Sequence, residues 1–143
     1  MYDPSRGYPV VVPCLLYDDL PAAASWLVET LGFREILRAT LPDGWTGHFE
    51  LERDGFVLLL GRQGGQFAEA TSLTQVFVDD VPAACDRGVA AGGTLLDPAA
   101  ERPWGVLQAV LADPGGQRWL VTSHVRDTDP ADWYGTVLGP MPG

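Results

Sequence analysis

The sequence predicts an α+β fold built from two tandem βαβββ units. Three observations predict it. A six-residue phrase, Asp18-Asp19-Leu20-Pro21-Ala22-Ala23, returns 61 residues later as Asp79-Asp80-Val81-Pro82-Ala83-Ala84. At the same offset Gly32 falls on Gly93 and Gly55 on Gly116. Each phrase follows an apolar, β-rich run and opens an alanine-rich stretch, the pattern of a duplicated supersecondary unit. The first unit is expected over about residues 9–62, a linker over 63–72, the second unit over about 73–125 and a C-terminal tail over 126–143, all within one domain.

In the first unit, Pro9 to Tyr17 is β-branched and apolar, the mark of a strand, and Pro13 within it suggests an edge or a bulge. Asp18 or Asp19 caps a helix, Pro21 suits its first turn, and Gly32 ends it. Trp26, at helical spacing with Ala23, Leu27 and Thr30, belongs to the core. Phe33 to Leu41 forms a second strand and Pro42-Asp43-Gly44 a turn. Trp45 to Arg53 alternates, with His48, Glu50 and Glu52 on one face and Phe49 and Leu51 on the other. Asp54-Gly55 is a tight-hairpin signal before the strand Phe56 to Leu60.

The second unit repeats this order. Leu73 to Val78 is a strand, Asp80 and Pro82 start a helix, and Gly92-Gly93 stops it. A strand begins at Thr94 to Leu96 and is loosened by Asp97-Pro98; Glu101 to Gly105 is expected as a loop. Val106 to Leu111 is a strand, Asp113-Pro114-Gly115-Gly116 a turn, and Gln117 to Val125 the last strand. Asp129-Pro130 starts a short helix near Trp133 before a Gly/Pro-rich end.

Composition narrows the function classes. A net charge of −10 argues against nucleic acid and anionic membrane surfaces, which require basic patches. No stretch reaches the length of a membrane span, and residues 1–6 lack a signal-peptide pattern, so the expected location is cytoplasmic. The two cysteines, Cys14 and Cys85, are not at repeat-equivalent positions and are expected as reduced, mostly buried thiols.

The two βαβββ units, Leu31-Gly32-Phe33, Pro103-Trp104-Gly105 and Asp113-Pro114-Gly115-Gly116-Gln117-Arg118-Trp119 resemble the vicinal oxygen chelate superfamily, which includes glyoxalases and bleomycin resistance proteins. The resemblance covers about residues 9–125. It implies eight strands curled into an incomplete barrel around a cavity, with the helices outside. It also implies, in metal-using members, one His, Gln or Glu ligand on the first and last strand of each unit. Measured from the repeated phrase and from the turn glycines, those positions here hold Val12, Leu59, Leu73 and Leu120. None carries a lone pair, so neither a metal nor another cofactor is expected. The resemblance then implies the condition of the bleomycin resistance proteins: acidic homodimers that bind small molecules and catalyse nothing.

With those four positions directed inward, alternation brings Cys14, Leu16, Val57, Gly61, Gln75, Phe77, Arg118 and Thr122 to the cavity face. His48, Glu50 and Gln108 either join them as polar ligand-orienting groups or face solvent or a partner chain. Trp45 and Trp104 stand at strand ends near the mouth, though Trp104 also has a purely structural use in its loop. The candidate ligand-binding set is therefore Trp45, His48, Glu50, Gln75, Phe77, Trp104, Gln108, Arg118 and Leu120. The favoured expectation is metal-free binding of a small aromatic molecule, with antibiotic sequestration as one setting. The alternative is a metal-independent isomerase, cyclase or lyase with His48 as general base and Glu50 orienting it or acting as acid. A metal-dependent glyoxalase or dioxygenase ranks third.

Overall fold

The computed structural model describes residues 3–7, 9–10, 12–40, 46–64, 71–134, 136–137 and 140, without the side chains of residues 40 and 46. The first unit runs β1 (Cys14–Tyr17), α1 (Leu20–Leu31), β2 (Arg34–Thr40), β3 (Thr46–Arg53) and β4 (Phe56–Arg62). The second runs β5 (Leu73–Phe77), α2 (Val81–Ala90), β6 (Thr94–Arg102), β7 (Val106–Ala112) and β8 (Arg118–His124). Short 3-10 turns occupy Pro4–Arg6 and Pro130–Trp133. The predicted Pro42-Asp43-Gly44 turn lies outside the described residues.

Each unit forms one four-stranded sheet, ordered β1-β4-β3-β2 and β5-β8-β7-β6. Within each, the first strand pairs parallel with the last and the others pair antiparallel. The duplication seen in the sequence is thus a duplication of topology. The two sheets stay separate and do not close into a barrel.

The repeated Asp-Asp phrase does the same work twice. Asp19 accepts from the Ala22 N–H and Asp80 from the Ala83 N–H, both at 3.0 Å, so each second aspartate satisfies an orphan amide at a helix start. The αL conformation of Gly32, at φ 72°, ends α1 as predicted.

Two strands depart from expectation. β1 begins at Cys14 rather than Pro9. The ring of Pro13 removes the N–H that a ladder would use, although its carbonyl still accepts from the Leu59 N–H at 3.0 Å. β6 runs on to Arg102, through residues expected in a loop. Pro98 does interrupt it, as register shifts on both sides of Asp97, and the strand resumes beyond that bulge.

One core serves both units. Leu15, Tyr17, Phe49, Leu51, Leu58 and Leu60 from the first sheet join Ala109, Leu111, Trp119 and Val121 from the second. Trp26, Leu27, Val81 and Ala84 of the helices pack into the same cluster. Trp26 is buried as predicted, and its indole N–H also donates to the Gly88 carbonyl across the helix pair at 3.0 Å. Trp119 is buried too and meets Phe33 edge-on.

The seam between units is fastened by Asp113. Its Oδ2 accepts from the Tyr17 hydroxyl at 2.6 Å and the Trp119 indole at 3.1 Å. Its Oδ1 accepts from the amides of Gly115 and Gln117. Gln117 adds a second stitch, donating to the Leu16 carbonyl and accepting from the Ser72 amide, each at 2.7 Å. One repeat length away, the Phe77 carbonyl accepts from Arg53 of the first unit at 2.9 Å. There the seam is looser and leaves a cleft of about 250 Å³ whose lining includes Phe33, Arg53, Phe56, Gln75, Phe77 and Trp119.

Candidate functional site

With one face of each sheet committed to the core, the alternate residues must occupy the other. In the first sheet these are Cys14 and Leu16 on β1, His48 and Glu50 on β3, and Val57, Leu59 and Gly61 on β4, set side by side by the registers Cys14↔Leu59↔Glu50 and Leu16↔Gly61↔His48. His48 and Glu50 therefore share the face of the family's ligand positions, one of the two orientations open at the sequence level. Glu50 is only 2% exposed, and its Oε1 lies 2.9 Å from His48 Nε2. A Cβ on Gly61 would meet Leu16 Cδ2 at 3.2 Å and Cys14 Sγ at 3.3 Å, so these two side chains pack closely over the bare glycine that pairs with His48.

The second sheet carries a neutral cluster on its corresponding face. Gln108 Nε2 donates to Gln75 Oε1 at 3.1 Å and to Thr122 Oγ1 at 3.0 Å. Gln108 and Thr122 are buried, whereas Leu73 and Phe77 are 60% and 54% exposed. Gln108 thus takes the same orientation as His48, beside Leu120 and Gln75.

The registers also fix which residues of the two units correspond. His48 lies opposite Gly61, and Gln108 opposite Thr122, one repeat length from Gly61. Likewise Glu50 lies opposite Leu59, and Val110 opposite Leu120. The counterpart of Glu50 is therefore Val110, not the Leu111 that the sequence offset would give. The slip arises at the turns: Arg53 pairs with Phe56 across Asp54-Gly55 alone, whereas Ala112 pairs with Arg118 across Asp113 to Gln117.

The remaining predicted site residues are dispersed. Arg118, at the start of β8, is exposed. Trp104 is half-exposed on the β6–β7 turn and packs edge-on against Trp133 of the tail, their centroids 6.3 Å apart. The Gly105 carbonyl beside it accepts from the amides of Val125 and Arg126, so this turn also anchors the tail. Trp45 lies outside the described residues. Cys85 is buried as expected, but Cys14 is exposed, because its parity places it away from the core. Burial still pushes the Cys14 thiol above its ordinary value, which disfavours the reactive thiolate.

The family's metal does not fit these donors. Leu59, Leu73 and Leu120 stand on β4, β5 and β8, and Val12 just precedes β1; aliphatic carbon offers an ion nothing. Among the described residues no group of three His, Cys, Asp or Glu side chains is placed to hold an ion. His124, the other histidine, pairs with Asp127 at the surface.

Sequence reasoning missed the packing of Leu16 and Cys14 over Gly61 and the Thr122 contact to Gln108. Their only sequence signal was strand parity, which names a face but not which residue of the adjoining strand stands alongside.

Two βαβββ units around a shared core, each with buried polar groups on its second face, define an α+β protein of the glyoxalase type. The family model described as Glyoxalase/Bleomycin resistance protein/Dioxygenase superfamily matches residues 10–121, and the chain belongs to that superfamily. It is 30% identical over 132 residues to the uncharacterized protein Mb0911c of Mycobacterium bovis, covering 85% of this chain and 87% of that one. TioX from Micromonospora sp. ML1 is similar in structure, with a TM-score of 0.63 and 29% identity over 85% of this chain and all of that one. TnmS3 from Streptomyces sp. CB03234, an antibiotic binding protein, shares the fold with a TM-score of 0.64 and 24% identity over 81% of this chain and 95% of that one.

Proposed function

We propose that the chain binds a small aromatic organic molecule without a metal, as a cytoplasmic homodimer. One observation carries this reading: the ligand positions of the fold are aliphatic, yet each second sheet face keeps a buried polar group, His48–Glu50 in one unit and Gln108–Gln75–Thr122 in the other. Apolar walls with a few placed polar groups are the general form of a small-molecule site. Gln75, Phe77, Leu120 and Gln108 line the second face; His48 and Glu50 orient the ligand on the first; Trp104 and Arg118 contact it from strand ends, and Trp45, outside the described residues, belongs to the same proposed set. Half-exposed Leu73, Phe77 and Phe56 supply apolar surface for the ligand and a second chain. TnmS3 supports the setting of antibiotic sequestration, as a use to which the same fold is put.

Thermal-shift and calorimetric titration against aromatic natural products, with and without a chelator, tests the proposal. The expected result is a rise of several degrees at saturating ligand, about 2.7 kcal/mol at a hundred times Kd. It should be indifferent to chelator, with the ligand recovered unchanged. Binding that requires a divalent ion, or no binding across the panel, overturns it. Light scattering should give twice the chain mass of 15.4 kDa; a monomer in the ligand-bound state counts against the shared site.

Gly61→Val crowds the sheet face beside His48, the residue that pairs with Gly61. The neighbours it would crowd are side-chain atoms of Leu16 and Cys14, which can shift, so the fold should survive. Affinity should fall by roughly tenfold, about 1.4 kcal/mol. Unchanged affinity by calorimetry would place the ligand elsewhere.

The His48–Glu50 contact favours a second reading, a metal-independent isomerase, cyclase or lyase, because the pair has the geometry of a base and its orienting acid. Product formation abolished by His48→Ala would support it.

A further inference from the structure

We infer that the cleft between the units is a second binding site, which takes a neutral bicyclic heteroaromatic lactam read by the free edge of β5. It stands whether or not the sheet faces bind a ligand.

β5 is an edge strand and pairs with β8 alone. In such a parallel pair, alternate residues of the edge strand turn both N–H and C=O toward the partner, and those between turn both away. The Ser72 carbonyl accepts from the Arg118 N–H, and the Val78 N–H donates to the Thr122 carbonyl. Residues 72, 74, 76 and 78 therefore face β8, and the backbone groups of Leu73, Gln75 and Phe77 point outward. The Phe77 carbonyl bears this out, since it accepts from Arg53 across the seam at 2.9 Å. The Gln75 C=O and the Phe77 N–H, on either side of Val76, have no partner among the described residues.

The cleft lies on that edge. Four consecutive residues, Thr74 to Phe77, bound it, so it meets the backbone between the two faces of the strand. Phe33 and Trp119 are buried and meet edge-on as its floor, and the exposed rings of Phe56 and Phe77 stand at its rim. Aromatic walls with one polar edge suit a flat ring that carries a donor beside an acceptor. A lactam has that pattern: its N–H donates to the Gln75 carbonyl, and its C=O accepts from the Phe77 N–H. The volume of about 250 Å³ falls below the roughly 300–1,000 Å³ of sites for drug-sized molecules, which limits the ligand to a bicyclic ring system. Arg53 does not call for an anion, because the Asp54 carboxylate stands 3.6 Å from its Nε. A strand from a second copy is the rival occupant of a free edge. It would also need the Phe77 carbonyl, which Arg53 already holds.

Calorimetric titration with carbostyril and N-methylcarbostyril tests this, since methylation removes the donor and keeps the rings. The wild type should bind carbostyril roughly tenfold tighter than its N-methyl derivative. Phe56→Ala should weaken both ligands by the same factor, because it removes a wall and not the edge. Phe77→Pro should bind carbostyril roughly tenfold more weakly than Phe77→Ala, because only proline also removes the N–H. The proline should be tolerated, since that N–H takes no part in the β5–β8 ladder. Amide hydrogen exchange gives a readout that needs no variant: saturating carbostyril should slow exchange at Phe77. Equal affinities for the two ligands, no binding of either, Phe56→Ala binding both as the wild type does, or a Phe77 amide left unprotected by carbostyril overturns the inference. So does a Phe77 amide whose protection without ligand rises with protein concentration, which would assign the edge to a second copy.

Discussion

Asp113→Ala is expected to lower stability by roughly 3–5 kcal/mol, because each buried donor left unpaired costs about 1–3 kcal/mol. Four donors converge on that carboxylate: the Tyr17 hydroxyl, the Trp119 indole and the amides of Gly115 and Gln117. Natural domains hold only about 5–15 kcal/mol in total, so the variant should lie near the limit of folding. Tyr17→Phe removes one of the four bonds and should cost about 1–2 kcal/mol. Gly115→Ala reaches the same seam sterically, since a Cβ there would lie 2.2 Å from Tyr17 Cδ1. Urea midpoints rank the three, and an Asp113→Ala protein as stable as Tyr17→Phe would show that the seam is not a hub.

The same carboxylate gives a pH signature of unusual sign. Burial raises Asp113 above its ordinary value even though its four hydrogen bonds pull it down. The folded state therefore holds the proton more tightly than the unfolded chain. The titration contributes stability that is fully present below the unfolded value of 3.8 and is lost as pH rises through the higher folded one. The stability difference between wild type and Asp113→Ala should accordingly be larger near about pH 4 than near about pH 7. The opposite trend would mean that hydrogen bonding, not burial, governs this group.

The Asp113 segment shows what the sequence made legible and what it did not. Asp113-Pro114-Gly115-Gly116 was recognisable as a turn, because those residue types have local reasons to be there. That Asp113 receives Tyr17 was not, since the two stand 96 residues apart and no periodicity links them. The same division holds at the site. Alternation within β3 put His48 and Glu50 on one face, a local property of any strand. Which face it was depended on the register with β4 and β1. Gln108 shows the same limit, since its partners Gln75 and Thr122 lie on two other strands. The repeat served as an accurate ruler along β4 and β8 and slipped by one residue on β3 and β7, because turn length lies outside the helix-opening phrase from which it was measured.

Glu50→Val should leave the unliganded protein at least as stable as wild type, because burying a carboxylate is costly unless its partners compensate it and His48 is its one hydrogen-bond partner among the described residues. The reasoning comes from the duplication: Val110 occupies the corresponding place in the second sheet, where it packs without leaving a polar group unpaired. The variant also frees His48 from its partner, and that ring is more than a third exposed, so water can replace the lost bond at little cost. The variant should bind the aromatic ligand more weakly, since Glu50 belongs to the proposed ligand-orienting pair, so that stability and recognition do not move together, as is common where a group is kept for function. Denaturant unfolding paired with calorimetric titration of an aromatic ligand that shifts the wild-type Tm measures both. A Glu50→Val protein less stable than wild type would show that the carboxylate supports the sheet, and its retention in the first unit would then need no ligand to explain it.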